Sequence, residues 1–123
     1  MEKRILIAED SREMADSLSA ILKMQGYMVD VVWDGVQAMN QIQTSTYDLI
    51  IVEETLPRIS GKEIIGQLYK VLPDAKSLCI ISSPKISMND NMQISATMTL
   101  VKPFKIDEFL FDVKVCFDEN RKD

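Results

Sequence analysis

The sequence predicts an α/β domain: a doubly wound, five-stranded parallel sheet in a three-layer sandwich, with helices on both faces. Two observations predict it. Short apolar runs rich in β-formers alternate five times with stretches of helical periodicity, joined by short connections. The third and fourth of these runs are almost continuously apolar, as expected of strands covered on both sides.

The runs are Ile5 to Ala8, Met28 to Trp33, Leu49 to Val52, Leu78 to Ile81 and Met98 to Val101, each of strand length. The first helix is expected over 12–25, with Met14, Leu18, Ile21, Leu22 and Gln25 inward and Gly26 as its stop. The second is shorter, 35–44, with Ala38, Met39 and Ile42 inward. Ser60-Gly61-Lys62-Glu63 has the pattern of a capping box and opens a third helix over 61–72, which ends before Pro73. Pro84 to Ser95, rich in Ser, Asn and Asp, reads as a short fourth helix. The last helix is expected over 105–119, with Ile106, Phe109, Leu110, Val113 and Phe117 on one face.

The 123 residues fit one domain, 1–123, with no internal repeat or linker. A chain of this size buries roughly two thirds of its unfolded surface, enough for one core. Apolar residues at 46% and charged residues at 27% argue against disorder, and a net charge of −5 argues against direct nucleic-acid binding. There is no apolar stretch of about 20 residues to span a membrane, and no signal peptide, so the expected location is cytoplasmic. Cys79 and Cys116 each lie in an apolar run and read as buried thiols. Histidine is absent, which removes histidine-based triads, metal sites and phosphohistidine relays from this chain.

In parallel sheets of this kind, chemistry sits beyond the carboxyl ends of the strands. Strand one is followed by Glu9-Asp10, strand three by Glu53, strand four by Ser82-Ser83 and strand five by Lys102-Pro103. Three carboxylates at one point repel unless a cation joins them, and their oxygens suit Mg²⁺ that keeps some of its waters. A lysine and a hydroxyl beside them suit the oxygens of a phosphoryl group.

These residues carry a resemblance that covers essentially the whole chain. Ile5-Leu6-Ile7-Ala8-Glu9-Asp10-Ser11, Tyr47-Asp48-Leu49-Ile50-Ile51-Val52, Leu56-Pro57 followed by Gly61, Ser82-Ser83, and Val101-Lys102-Pro103-Phe104 occur in order and at compatible spacings. Together they resemble the receiver domain of two-component response regulators, the CheY-like, flavodoxin-like fold. The resemblance implies that Glu9, Asp10 and the residue at position 53 bind Mg²⁺. It implies that Ser82 is the switch hydroxyl, that Lys102 pairs with the phosphoryl group or its acceptor, and that Pro103 follows a cis peptide bond. It also implies a sensor histidine kinase or another signalling protein as partner. The family's face of fourth helix, fifth strand and fifth helix serves dimers and partners, and here it would carry Val101, Phe111 and Val115. The plainer reading of Phe111 and Val115 is two apolar residues on an exposed face.

Two positions depart from the pattern. The phosphoacceptor aspartate is replaced by Glu53, and the aromatic switch three residues before the lysine by Thr99. The extra methylene moves the carboxylate by about one bond length, and a misplacement of about 1 Å costs on the order of a hundredfold in rate. The expectation is therefore a phosphorylation-independent interaction module rather than an enzyme, with the longer carboxylate reaching Lys102 or Ser82. The alternative is a competent receiver that takes a phosphoryl group at Glu53 with Mg²⁺. A flavodoxin-type nucleotide or flavin binder would need a glycine-bearing phosphate loop after strand one, and Glu9-Asp10-Ser11-Arg12 has no glycine. Ser82 has an ordinary alternative too, as a cap for the next helix.

Overall fold

The computed structural model of the protein describes residues 2–82 and 96–118. The fourth helix expected over 84–95 lies outside the described residues, as do Ser83 and residue 119. The strands are β1 (Arg4–Ala8), β2 (Met28–Val32), β3 (Leu49–Glu53), β4 (Lys76–Ile81) and β5 (Met98–Val101). The helices among the described residues are α1 (Arg12–Met24), α2 (Gly35–Thr44), α3 (Gly61–Val71) and α4 (Ile106–Phe117). The strands form one parallel sheet in the order β2-β1-β3-β4-β5. The chain steps from β1 to one side for β2 and to the other for β3. The carboxyl ends of β1 and β3 therefore flank the point where the winding reverses, the place where such sheets hold their sites.

Strand alternation divides the core into two layers. Leu6, Ala8, Ile50, Val52, Cys79 and Ile81 face α2 and α3, where Ala38, Ile42, Ile64 and Leu68 meet them. Ile5, Ile7, Leu49, Ile51, Leu78 and Ile80 face α1 and α4, where Leu18, Leu22, Phe109 and Val113 meet them. Both faces of β3 are fully covered, which is why its sequence is a continuous apolar run.

Local chemistry sets the helix ends. Ser11 Oγ accepts the Met14 N–H at 3.3 Å, Asp34 Oδ1 the Gln37 N–H at 2.8 Å, and Ser60 Oγ the Glu63 N–H at 3.2 Å. α1 stops at Gly26, whose φ of +95° lies in the left-handed region that glycine enters without steric cost. Two expected inward residues turn outward. Gln25 is the C-cap of α1, past its last turn, and is exposed. Ile106 lies in the first turn of α4 and is 45% exposed, lining a surface groove with Met14 and Phe104 instead of the core. Cys116 takes the core position that the expected stripe omitted. Cys79 and Cys116 are free thiols, both buried, and burial pushes them up to about 12 and about 11. Among the described residues, no helix is long and apolar enough to cross a membrane.

Candidate functional site

The sheet delivers four polar side chains to one point. Its hydrogen-bond ladder runs one residue past the strand ends: Glu9 N–H donates to Val32 O at 3.1 Å, Glu54 N–H to Ile80 O at 2.8 Å, and Lys102 N–H to Ile81 O at 2.8 Å. These bonds fix the backbone that carries Glu9, Glu53 and Lys102. The Lys102–Pro103 peptide bond is cis, as the resemblance implied.

Glu53 is the last residue of β3 and, like Glu9, is almost completely buried. The Lys102 ammonium stands between the two carboxylates, 3.2 Å from Glu9 Oε1 and 2.9 Å from Glu53 Oε2. Glu9 Oε2 accepts the Ser11 N–H at 2.9 Å. Ser82 Oγ donates to Glu53 Oε1 at 2.5 Å, and Thr55 Oγ1 donates to the same oxygen at 3.3 Å. Buried charges persist where they are paired and hydrogen-bonded, and Glu53 has both an ammonium and two hydroxyls.

The electrostatics follow from this placement. Burial pushes Glu9 above its ordinary value, while the Ser11 N–H and Lys102 pull it back and the charge of Glu53 pushes it further up. Burial pulls Lys102 down, but its hydrogen bond and charge interaction with Glu53, joined by Glu9, outweigh that and hold it above its ordinary value. Lys102 therefore stays an ammonium at neutral pH.

A tight loop from β3 to α3 fixes Glu53 from below. Leu56 N–H donates to Glu53 O at 3.2 Å, Gly61 N–H to Glu54 O at 3.0 Å, and Gly35 N–H to Pro57 O at 2.9 Å. A Cβ on Gly61 would stand 2.5 Å from the Glu53 carbonyl oxygen, and one on Gly35 would collide with the backbone of Ile59. Both obstacles are main chain, so neither yields by a rotamer change. Gly61→Ala is expected to cost about 1–3 kcal/mol, as overpacking does, and to move the Glu53 backbone. Urea unfolding checks the first part; a loss within a few tenths of a kcal/mol, the range of neutral surface changes, would refute it.

The structure brings Glu9, Glu53, Ser82 and Lys102 together. Asp10, the other half of the expected acidic pair, is exposed beside them. Thr99 is exposed on β5, in register with Cys79, and none of the bonds that hold Glu53 comes from it. Of the expected interface residues, Val101 is 42% and Phe111 62% exposed, and Val115 is half-buried. Thr55 was not anticipated. Its signal was a hydroxyl two residues past Glu53, a spacing that is uninformative until the loop geometry is known. The groove lined by Met14, Leu18, Phe104 and Ile106, about 470 Å³ beside Ser82 and Lys102, was also unforeseen, because its walls come from distant parts of the chain.

The expected Mg²⁺ site does not emerge from this arrangement. Mg²⁺ asks for near-octahedral oxygens at about 2.0–2.1 Å. Here an ammonium lies between the two buried carboxylates, Glu53 Oε1 is taken by hydroxyls, and Asp10 is an exposed residue beside Glu9. Among the described residues, no three acidic or cysteine side chains are grouped as cation ligands.

A parallel 2-1-3-4-5 sheet with acidic, hydroxyl and lysine side chains at its carboxyl edge defines a class of signalling domain. The sequence pattern of the response regulator receiver domain matches residues 5–114. The chain belongs to the response regulator receiver domain family. It is 28% identical over 112 residues to the transcriptional regulatory protein CutR of Streptomyces coelicolor, covering 90% of this chain and 52% of that protein. The chain thus spans about half the length of the curated relatives it matches. Among solved structures it is similar to a CheY-like receiver domain from Methanospirillum hungatei, with a TM-score of 0.87 and 26% identity over 97% of this chain and 96% of that one. It is also similar to the response regulator TrrA of Thermotoga maritima, solved in complex with Mg²⁺-BeF, with a TM-score of 0.83 and 31% identity over 93% of this chain and 98% of that one.

Proposed function

We propose that residues 1–123 form a receiver domain that signals by protein contact without accepting a phosphoryl group. One observation carries this reading. The hydroxyl and the ammonium that the family resemblance assigns to the phosphoryl group are both already engaged by Glu53, Ser82 at Oε1 and Lys102 at Oε2. The longer side chain puts its own charge where the incoming group's oxygens would go. A fixed anion then holds Ser82 inward, and the exposed Thr99 leaves no aromatic ring at its position to gate that state. The domain acts as a binding module, not an enzyme, in the cytoplasm, with no direct contact to nucleic acid or membrane.

Incubation with acetyl phosphate or beryllofluoride in the presence of Mg²⁺, followed by intact mass and adduct mapping, tests this. The expected result is an unmodified chain. A stable adduct at Glu53 that vanishes in Glu53→Gln would overturn it in favour of the phosphotransfer-competent reading.

The partner is a sensor histidine kinase or another signalling protein, or a second copy of the chain. The contact face is the one bearing Val101, Phe111 and Val115. Phe111 is the main support, a large apolar side chain mostly in water on α4, with Val101 exposed on β5. Phe111→Asp is expected to abolish self-association or partner capture without changing the unfolding midpoint. Unchanged sedimentation and unchanged partner binding would remove this face from the proposal.

A further inference from the structure

We infer that Lys102 has taken over the role of the divalent cation in this site, so that the acidic cluster is held together by an internal ammonium and works without metal. The cluster contains two nearly buried carboxylates, Glu9 and Glu53, brought together by adjacent strands of the sheet. Carboxylates so placed repel one another and need a positive charge between them. That charge is present and is covalently part of the chain: Nζ of Lys102 lies 3.2 Å from Glu9 Oε1 and 2.9 Å from Glu53 Oε2.

The remaining oxygens already have partners. Glu9 Oε2 accepts the Ser11 N–H, and Glu53 Oε1 accepts the hydroxyls of Ser82 and Thr55. Glu53 Oε2 is buried, and its polar contact among the described residues is the Lys102 ammonium at 2.9 Å. A divalent cation entering here would displace the ammonium or sit against it, and two cations at that range repel strongly in a poorly solvated site. The third carboxylate, Asp10, belongs to an exposed residue whose side chain meets Glu9, and no three acidic side chains are grouped as cation ligands among the described residues. The length of Glu53 is what closes the arrangement. Its extra methylene lets one carboxylate reach the lysine and the switch hydroxyl together.

The inference concerns the cation and stands apart from the phosphorylation-independent reading. A chain that binds metal yet takes no phosphoryl group would overturn the first and leave the second. Mn²⁺ is the probe, followed by electron paramagnetic resonance of the free ion, with the melting temperature in Mg²⁺ as a second readout. The wild-type chain is expected to show no saturable Mn²⁺ binding and no shift in melting temperature. Lys102→Met, which leaves the two carboxylates facing each other, is expected to gain one Mn²⁺ site per chain and to melt higher in Mg²⁺. Adding Glu9→Gln should remove that gain. Saturable one-site binding by the wild type, lost in Glu9→Gln, would overturn the inference. So would a folded Lys102→Met that binds no Mn²⁺, because the ammonium would then not be what occupies the site. Should Lys102→Met not fold, Lys102→Gln replaces it, and the wild-type titration decides independently.

Discussion

Lys102→Met is expected to cost the domain about 3–5 kcal/mol at neutral pH, the usual loss when one partner of a buried ion pair is removed. The substitution keeps most of the side chain's volume, so the loss is electrostatic. Glu9 and Glu53 would face each other at the edge of the sheet with no counter-charge. The magnitude is a large part of the roughly 5–15 kcal/mol that holds a domain of this kind together. Urea unfolding followed by the fluorescence of Trp33, the one tryptophan of the chain, measures it.

The pH dependence separates this cause from a packing defect. Glu9 is raised in the folded state by burial, above its ordinary 4.5. Between that ordinary value and the folded value the native state holds more protons than the unfolded chain, so stability falls as pH rises through the window. Removing Lys102 removes a pull in the opposite direction and widens the window upward. The deficit of Lys102→Met should therefore shrink as pH falls into it. Lys102 itself is raised above its ordinary 10.5. The stability it contributes is complete below that value and is lost as pH rises through its folded value. The difference between wild type and variant should thus narrow at both ends of the pH range. A deficit below about 1 kcal/mol, the range of exposed ion pairs, or one that ignores pH, would refute the electrostatic account.

Phe109→Ala is expected to cost about 3–5 kcal/mol as well, through a cavity rather than a charge. Phe109 is fully buried in the layer between the sheet and α1 with α4, among the largest side chains there. Its ring stacks on Phe104 at 5.9 Å between centroids, two residues beyond Lys102. The cavity would therefore open beneath the turn that carries the site's lysine. Two readouts are expected to move together: the urea midpoint, and the reactivity of Lys102 toward an amine reagent, which should rise as the turn loosens. A loss below about 1 kcal/mol would mean that the layer closes over the gap and that Phe109 does not anchor this turn.

Much of this architecture was legible without coordinates. All five strands lie where the apolar runs stood, and β3 and β4 are buried on both faces because their runs are unbroken. Errors fell at helix ends. Gln25 and Ile106 satisfied the helical spacing, yet one is a cap and the other a first-turn residue at a groove. Periodicity says which residues share a face and not how far the neighbouring layer extends. At the site, the family landmarks singled out Glu9, Glu53, Ser82 and Lys102. Thr55 was invisible because its contact depends on a turn held by Gly35 and Gly61, and only the folded loop shows which oxygen its hydroxyl meets.

What the sequence by itself determined was the winding and the cast of the site. Alternating apolar runs admit few parallel arrangements, and the residues after each strand must gather at one edge. What only the tertiary structure decided was how those charges are satisfied. Asp10 and Glu9 are neighbours in sequence, but one is exposed and the other is almost fully buried. The sequence puts a fixed anion at Glu53 ahead of a phosphoacceptor, but which groups its two oxygens meet is known only from the positions of Ser82 Oγ and Lys102 Nζ. The reason is one of scale. Patterning fixes strand order over tens of residues, whereas ion pairing in a poorly solvated site turns on shifts of about 1 Å, a distance that only packing sets.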